Sequence, residues 1–394
     1  LQEALEALSN IDPGQVIVTQ NGSVYSIAFD SALGDVSELQ IAKNDLVTPN
    51  AVTNISLGDN ADTGITTEHV FISSNADLDH DTIFTTDGNT DAFDFLTGNL
   101  DDLRGDLNLD FGTGRHGLMI SDEAATVGDD SIVITDTEPA AADLNQLAGD
   151  ADIWITGLNR TQDVNTLPGN SNFDPGISYS ADATTGNFYE GIVYWTGSGD
   201  DIIDIDGTHY RGGERTTTLL NTGLGDDHVT VDLDSPADTE PEEDGGDGFF
   251  ALHTQGGSTT LSPVAALSGS ETDNDTVRAA ESTLPLIIFG GLGNDDIIAG
   301  KDDDVVFGDL GRVQYLNGGG DLIATFGFGG RDDVISSQII DPTWVISRDL
   351  NLGGNDILEG QAGDDLLIGG ANTLNSPRGT DYIDGDSDDD LIFG

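Results

Sequence analysis

Residues 290–308 read GGLGNDDIIAGKDDDVVFG, two nine-residue units in register followed by a further glycine. Glycine and acid dominate the first six positions of each unit, and an aliphatic residue holds the eighth. The sixth position is Asp295 and then Asp304; the eighth is Ile297 and then Val306. The same phase returns at 351–368 (NLGGNDILE, GQAGDDLLI) and at 376–393 (SPRGTDYID, GDSDDDLIF). There the sixth-position acids are Asp356, Asp365, Asp381 and Asp390. Each unit reads as a glycine-rich loop running into a short strand, and each pair is one turn of a repeating coil.

Stacked at this period, Asp295, Asp356 and Asp381 form one column and Asp304, Asp365 and Asp390 another. Alternate residues of a strand point to opposite faces, so the eighth positions turn inward as an apolar core. These are Ile297, Val306, Leu358, Leu367, Ile383 and Ile392. In the second unit of each pair the flanking positions are apolar as well: Val305 and Phe307, Leu366 and Ile368, Leu391 and Phe393. One sheet is then apolar on both faces, and its outer face needs a cover. The expected cover is an insertion such as residues 308–330, or a neighbouring subunit.

Charge decides what the loops must do. Across 394 residues 73 acids face 12 Lys and Arg, a formal net charge of -61. Two carboxylates about 5 Å apart repel by roughly 3 kcal/mol at an effective dielectric near 20. Either cations neutralise such a chain or much of it stays loose. The 52 glycines and the G-D-D clusters favour cations, because calcium takes carboxylate and backbone carbonyl oxygens together. The sign of the charge argues against a nucleic-acid partner. There is no cysteine, hence no disulfide and no thiolate metal site. No apolar run reaches the roughly eighteen residues of a membrane span. The chain opens at Leu1 and stops at Gly394, the first position of a further unit, and so reads as a segment of a longer chain.

From the start, residues 1–8 (LQEALEAL) carry apolar side chains at helical spacing. A strand at 15–19, a turn at Asn21-Gly22 and a strand at 23–29 read as a hairpin. Residues 51–194 are β-rich, with runs such as VTNISL, HVFISS and DIWITGL between Gly, Asn and Asp; an irregular solenoid and a sandwich both fit. Fainter copies of the loop appear at DHDTIF, GDDSIVI, GSGDDIIDI, GLGDDHVTV and DNDTV. Their matching aspartates are Asp81, Asp130, Asp201, Asp227 and Asp275. The uneven intervals suit a solenoid whose turns carry insertions of different length. A plain β-turn entering a strand would give the same G-D-D pattern without an ion. Residues 235–248 (SPADTEPEEDGGDG) read as an exposed loop, and GGRDDVI at 329–335 re-enters the phase through Asp332.

At these residues the chain resembles the hemolysin-type calcium-binding repeats, or RTX repeats, of very large secreted and cell-surface proteins. The likeness rests on about fifty residues of clear nonapeptides and is looser elsewhere. It implies an all-β fold, a parallel β-roll or β-solenoid, here with long insertions, and calcium between successive loops. The implied ligands are the sixth-position carboxylates of Asp295, Asp304, Asp332, Asp356, Asp365, Asp381 and Asp390, with Asp201 and Asp227 as earlier counterparts. Backbone carbonyls of loop residues such as Gly291, Gly293, Gly354 and Gly363 complete the set. Asp302 and Asp388 replace fourth-position glycines, and Asn351 and Ser376 replace first-position ones, which weakens individual sites. The opening helix and hairpin are similar to the end of a repeated module in giant bacterial and algal surface proteins.

The expected organisation is the tail of that small helix and β-hairpin module over 1–50, a β-rich region over 51–190, and a calcium-binding β-solenoid over 191–394. The expected function is a structural segment of an extracellular adhesin, surface-layer or filament protein that binds several Ca2+ ions and does no catalysis. The alternative is an accessory region of a secreted protease, lipase or polysaccharide epimerase. The expected partners are other copies or neighbouring modules of the same protein, with glycans possible at Asn21, Asn54, Asn159 and Asn274. Other motifs carry little. Carboxylate pairs are too abundant to single out a glycosidase dyad, and no HExxH, GxSxG or P-loop occurs. Asp77, Asp79 and Asp81 lack the glycine and glutamate of an EF-hand. Arg104-Gly105-Asp106 spells an integrin tripeptide, a match that an Asp- and Gly-rich chain produces by accident. The regular rows of Thr or aromatics that ice or carbohydrate binding would need are not seen.

Overall fold

The computed structural model describes residues 100, 105–123, 125–138, 150–158, 176–211, 214–236, 246–254, 273–327, 342–348, 353–370 and 380–394, together with the pairing of five earlier strands. Every regular element among the described residues is a β-strand. The helix expected at residues 1–8 lies outside them.

The five early strands are β1 (Val16–Asn21), β2 (Val24–Phe29), β3 (Glu38–Ile41), β4 (Ala51–Ser56) and β5 (Thr67–Ile72). β1 and β2 pair antiparallel from Val16↔Phe29 to Asn21↔Val24, so Asn21, expected in the turn, is instead the last paired residue of β1. The next six are β6 (Gly105–Asp110), β7 (Gly114–Ser121), β8 (Ile132–Thr135), β9 (Ile153–Thr156), β10 (Gly176–Ser180) and the short β11 (Gly186–Asn187). β4 and β6 lie in a first, thirteen-stranded sheet, and β3, β5 and β7 in a second, eleven-stranded sheet. β9 runs antiparallel to both β8 and β10, the one reversal inside the first sheet after the opening hairpin.

From β12 (Ile192–Trp195) onward the coil becomes regular. β12 lies in the second sheet, β13 (Ile202–Ile205) in the first. After a small hairpin of β14 (Tyr210–Arg211) and β15 (Glu214–Arg215), the chain alternates. β16 (Thr217–Asn221), β18 (Phe249–His253), β20 (Leu286–Phe289) and β22 (Val305–Phe307) join the second sheet. β17 (His228–Val231), β19 (Thr276–Arg278) and β21 (Asp296–Ile298) join the first. An excursion forms a separate antiparallel sheet of β23 (Gly311–Leu316), β24 (Leu322–Phe326) and β25 (Trp344–Ser347). β26 (Ile357–Glu359) and β28 (Tyr382–Asp384) then extend the first sheet, β27 (Leu366–Ile368) and β29 (Leu391–Phe393) the second. All pairings along this run are parallel, and neither sheet closes on itself. The architecture is an all-β, solenoid-like stack of turns.

Nine-residue spacing sets the core. In the first sheet Ile203, Val229, Val277, Ile297, Leu358 and Ile383 stand in register. In the second Tyr194, Leu220, Leu252, Ile288, Val306, Leu367 and Ile392 do so. These rows meet in one apolar interior, buried except towards the last turn, where Ile392 is 45% exposed.

The outer face of the second sheet is also apolar, and the excursion covers it. Val305, Phe307, Leu366 and Ile368 pack with Val313, Tyr315, Ala324 and Phe326 of β23 and β24. Phe289 and Phe307 stack with ring centroids 5.0 Å apart, and Phe249 stacks on Phe326. Gly311 lets β23 approach: a β-carbon there would fall 2.3 Å from the Phe307 ring. The cover expected from sequence is thus present, but it stops at β27; Leu391 and Phe393 remain more than half exposed.

Candidate metal centre

The loops between the sheets are shaped by backbone that only glycine adopts cheaply. Gly291 and Gly293, at the second and fourth positions, have φ of 99° and 125°, and the same alternation recurs at Gly197 and Gly199 and at Gly223 and Gly225. Gln361 and Asp388 are held in this left-handed region without being glycine, beside Gly363 at 121°. A second demand is closeness of the turns. A β-carbon on Gly293 would lie 1.5 Å from the Asp273 carbonyl oxygen, and one on Gly354 would lie 1.3 Å from that of Gly293. Successive loops are stacked backbone on backbone, and their polar groups must be satisfied between turns.

The sixth-position aspartates do this. Oδ1 of each accepts a hydrogen bond from the backbone N–H of the aspartate one turn earlier. The column runs Asp129, Asp201, Asp227, Asp275, Asp295, Asp356, Asp381, with N···O distances of 2.6 to 3.2 Å. On the opposite side of the coil the N–H of Leu286 bonds Asp304, Asp304 bonds Asp365, and Asp365 bonds Asp390. The neighbouring fifth positions reach the other way along the axis: Asp226, Asn274, Asn294 and Asn355 each accept from the residue one turn later. Every interface between these turns is therefore bracketed by side chains from both sides.

The second carboxylate oxygens are a different matter. Oδ2 of Asp201 accepts from the Thr196 hydroxyl at 2.5 Å, and Oδ2 of Asp227 from that of Thr222. Oδ2 of Asp304 accepts from the Gly300 N–H at 2.7 Å. Buried Oδ2 atoms of Asp295, Asp356 and Asp365 have no hydrogen-bond partner. Beside them stand the glycines that follow β20, β22 and β26. A β-carbon on Gly290 would meet Asp295 Oδ2 at 2.6 Å and the Gly308 carbonyl oxygen at 2.2 Å; one on Gly308 would meet Asp356 Oδ2 and the Gly369 carbonyl. Gly360 stands in the same relation to Asp365 Oδ2 and the Gly385 carbonyl. At each of these three glycines a carboxylate Oδ2 without a hydrogen-bond partner and a backbone carbonyl oxygen thus lie close to the same open position.

The electrostatic cost is visible in the acids themselves. Burial pushes Asp201 up to about 6, Asp356 and Asp365 to about 7 and Asp227 to about 8. Asp275, Asp295 and Asp304 stand well above the usual carboxylate range, with burial again the largest cause. Repulsion from adjacent members of the column adds to it at Asp227, Asp275 and Asp295. No family model, curated protein or solved structure matches the chain. The reading of the site rests on its own geometry.

Of the residues singled out from sequence, Asp201, Asp227, Asp295, Asp356 and Asp381 share one column, and Asp304, Asp365 and Asp390 the other. Gly291, Gly293, Gly354 and Gly363 lie in the stacked loops. Asp332 and Asp81 lie outside the described residues. At the fainter loop of 128–134 it is Asp129, not Asp130, that joins the column: Asp129 is buried and bonded to Asp201, while Asp130 is exposed. The Ile202 N–H bonds the Asp129 carbonyl, as His228 bonds that of Asp201, so the loop before β8 carries one extra residue. The threonine partners were also missed, although TGSGDD and TGLGDD both carry Thr where later units carry Gly. Asp106 of the integrin-like tripeptide is buried and accepts the Gly176 N–H, which places it inside the fold. Asn274, a sequon residue, is engaged through its side chain with Asp226 and Asn294.

Proposed function

We propose that the chain is a calcium-stapled β-solenoid of RTX type, serving as a structural segment of a large extracellular adhesin, surface-layer or filament protein. The observation that carries the reading is the set of buried, partnerless Oδ2 atoms facing backbone carbonyls in successive turns. An ionised carboxylate buried without a donor is strongly unfavourable. A divalent cation supplies what is missing: it neutralises the acids and accepts both kinds of oxygen. Calcium suits this better than magnesium, since magnesium holds its waters and demands an octahedron, whereas calcium adapts to carboxylates and carbonyls. Among the described residues no three His, Asp or Glu side chains are arranged to hold a metal together. The ions proposed here accordingly depend on main-chain carbonyls, with Asp295, Asp356 and Asp365 as the carboxylate partners.

Ion-coupled folding of so acidic a chain favours an extracellular setting, where calcium is plentiful. No helix of the described residues is long and apolar enough to cross a membrane. A structural role is preferred to a catalytic one because the loops spend their polar groups on one another and the interior is filled by apolar side chains. Neighbouring modules or further copies of the same protein are the proposed partners. The test is circular dichroism of the full chain during a calcium titration, with magnesium as control. A cooperative gain of β signal with calcium alone is expected. A fold complete in chelator at neutral pH, unchanged by calcium, would overturn the reading.

A further inference from the structure

The residue at the first loop position changes along the stack, and the hydrogen bonding changes with it. On one side of the coil the residues following β12, β16, β18, β20, β22 and β27 are Thr196, Thr222, Thr254, Gly290, Gly308 and Gly369. They face Asp201, Asp227, Asp275, Asp295, Asp356 and Asp381 in turn. Thr196 and Thr222 donate their hydroxyls to Oδ2 of Asp201 and Asp227, and each hydroxyl also lies within reach of the next threonine's carbonyl, at 3.1 and 2.8 Å. The Thr254 hydroxyl lies 2.6 Å from the Gly290 carbonyl and also acts on the Asp275 carboxylate, holding it down against the effect of burial. Beyond it there is no side chain at all in this position, and the second oxygens of Asp295 and Asp356 are bare.

A hydroxyl proton on Oδ2 and a cation on Oδ2 compete for the same lone pairs, and the threonine methyl and hydroxyl take up the volume that glycine leaves open. We propose that the first-position residue decides which turns take a cation: Thr196 and Thr222 close the turns of Asp201 and Asp227 without metal, Thr254 keeps a hydroxyl beside Asp275, and cation stapling begins at Asp295 and continues through the glycine turns. This rests on the calcium reading above, but it removes Asp201 and Asp227 from the ion ligands that the repeat pattern implies. It also divides the coil into a first part that holds its fold alone and a last part that is ordered by the ion. Threonine is a built-in substitute for the metal, and Thr222 and Thr196 are positioning residues for the aspartates below them.

Hydrogen exchange of the full chain, in chelator and in calcium, tests this directly. In chelator at neutral pH the amides of β12, β13, β16 and β17 are expected to stay protected. Those of β21, β26 and β28 should exchange roughly a hundredfold faster than in calcium. Counting bound calcium by equilibrium dialysis gives the second readout. Asp227→Asn is expected to leave the number of bound ions unchanged, whereas Asp356→Asn lowers it; Thr222→Gly should raise it and make β17 protection calcium-dependent. Equal gains of protection in both parts of the coil, or loss of an ion in Asp227→Asn, would overturn the division while leaving the calcium reading intact. No bound calcium in the unaltered chain would overturn the calcium reading itself. Should Thr222→Gly fail to fold, the exchange map of the unaltered chain and the Asp227→Asn count still decide.

Discussion

Removing calcium and raising the pH should unravel the ladder, and the direction follows from the acids. A carboxyl whose folded pKa lies above its unfolded value binds its proton more tightly in the native state. Its contribution is full below the unfolded value, near 4, and is lost as pH rises through the folded one. Burial pushes Asp356 up to about 7, which corresponds to roughly 4 kcal/mol lost across that window. Asp365, raised to about 7, shifts the same way. Because a domain has only about 5–15 kcal/mol in hand, the metal-free turns should be stable near pH 5 and lose their fold by about pH 8.5. Calcium should reverse the trend: at high pH the carboxylates are free to bind it, while at low pH protons displace it. Urea unfolding followed by circular dichroism, at several pH values in chelator and in calcium, measures both slopes. A chelated protein whose stability is flat or rising between pH 5 and 8 would refute the reasoning, since Oδ2 of Asp356 would then have a partner other than a proton or a cation.

Three substitutions probe the parts separately. Gly293→Ala places a β-carbon at φ of 125° and 1.5 Å from the Asp273 carbonyl, so it should cost roughly 2–4 kcal/mol and lower Tm even in saturating calcium; an unchanged Tm would mean that the loops are not stacked this closely. Phe307→Ala removes a fully buried ring between Phe289 and Gly311, with an expected loss of about 3–5 kcal/mol by urea unfolding and increased dye binding by the uncovered face. Asp388→Gly relieves a left-handed residue at φ of 82° and should raise Tm, by up to about 1 kcal/mol of stability, where a drop would show that its carboxylate is needed.

How much of this was legible in the sequence depends on whether a feature repeats. The eighth-position core and the sixth-position columns were readable because a period of nine fixes both the face and the register of each strand. Phe307 and Ile368 announced an outer apolar face whose cover would be an insertion such as the excursion or a neighbouring subunit, and the fold uses the excursion. The reversal at β9 was not readable: IWIT looks the same in either direction, and pairing direction depends on where the connecting segments lead. Asp129 was mistaken for its neighbour because one extra loop residue shifts the phase without altering the G-D-D pattern.

The threonines show a subtler limit. Reading for a motif fixes attention on the positions the motif names, and Thr196 and Thr222 lie where the motif says glycine. In sequence they look like worn copies of a calcium loop. In the fold each puts a hydroxyl on the oxygen that is bare two or three turns later, at Asp295. A departure from a repeat is therefore informative in proportion to what the departing side chain can reach. At Asp302 the loop loses a glycine, yet Asp304 in that unit has both oxygens satisfied by backbone N–H groups, from Leu286 and Gly300. At Gly290 and Gly308 nothing replaces the hydroxyl, and the demand for a cation falls there. The same sixth-position aspartate, repeated through the stack, thus has its chemistry set by the residue five places before it in the compact units, and by the residue closing the preceding strand where an insertion intervenes.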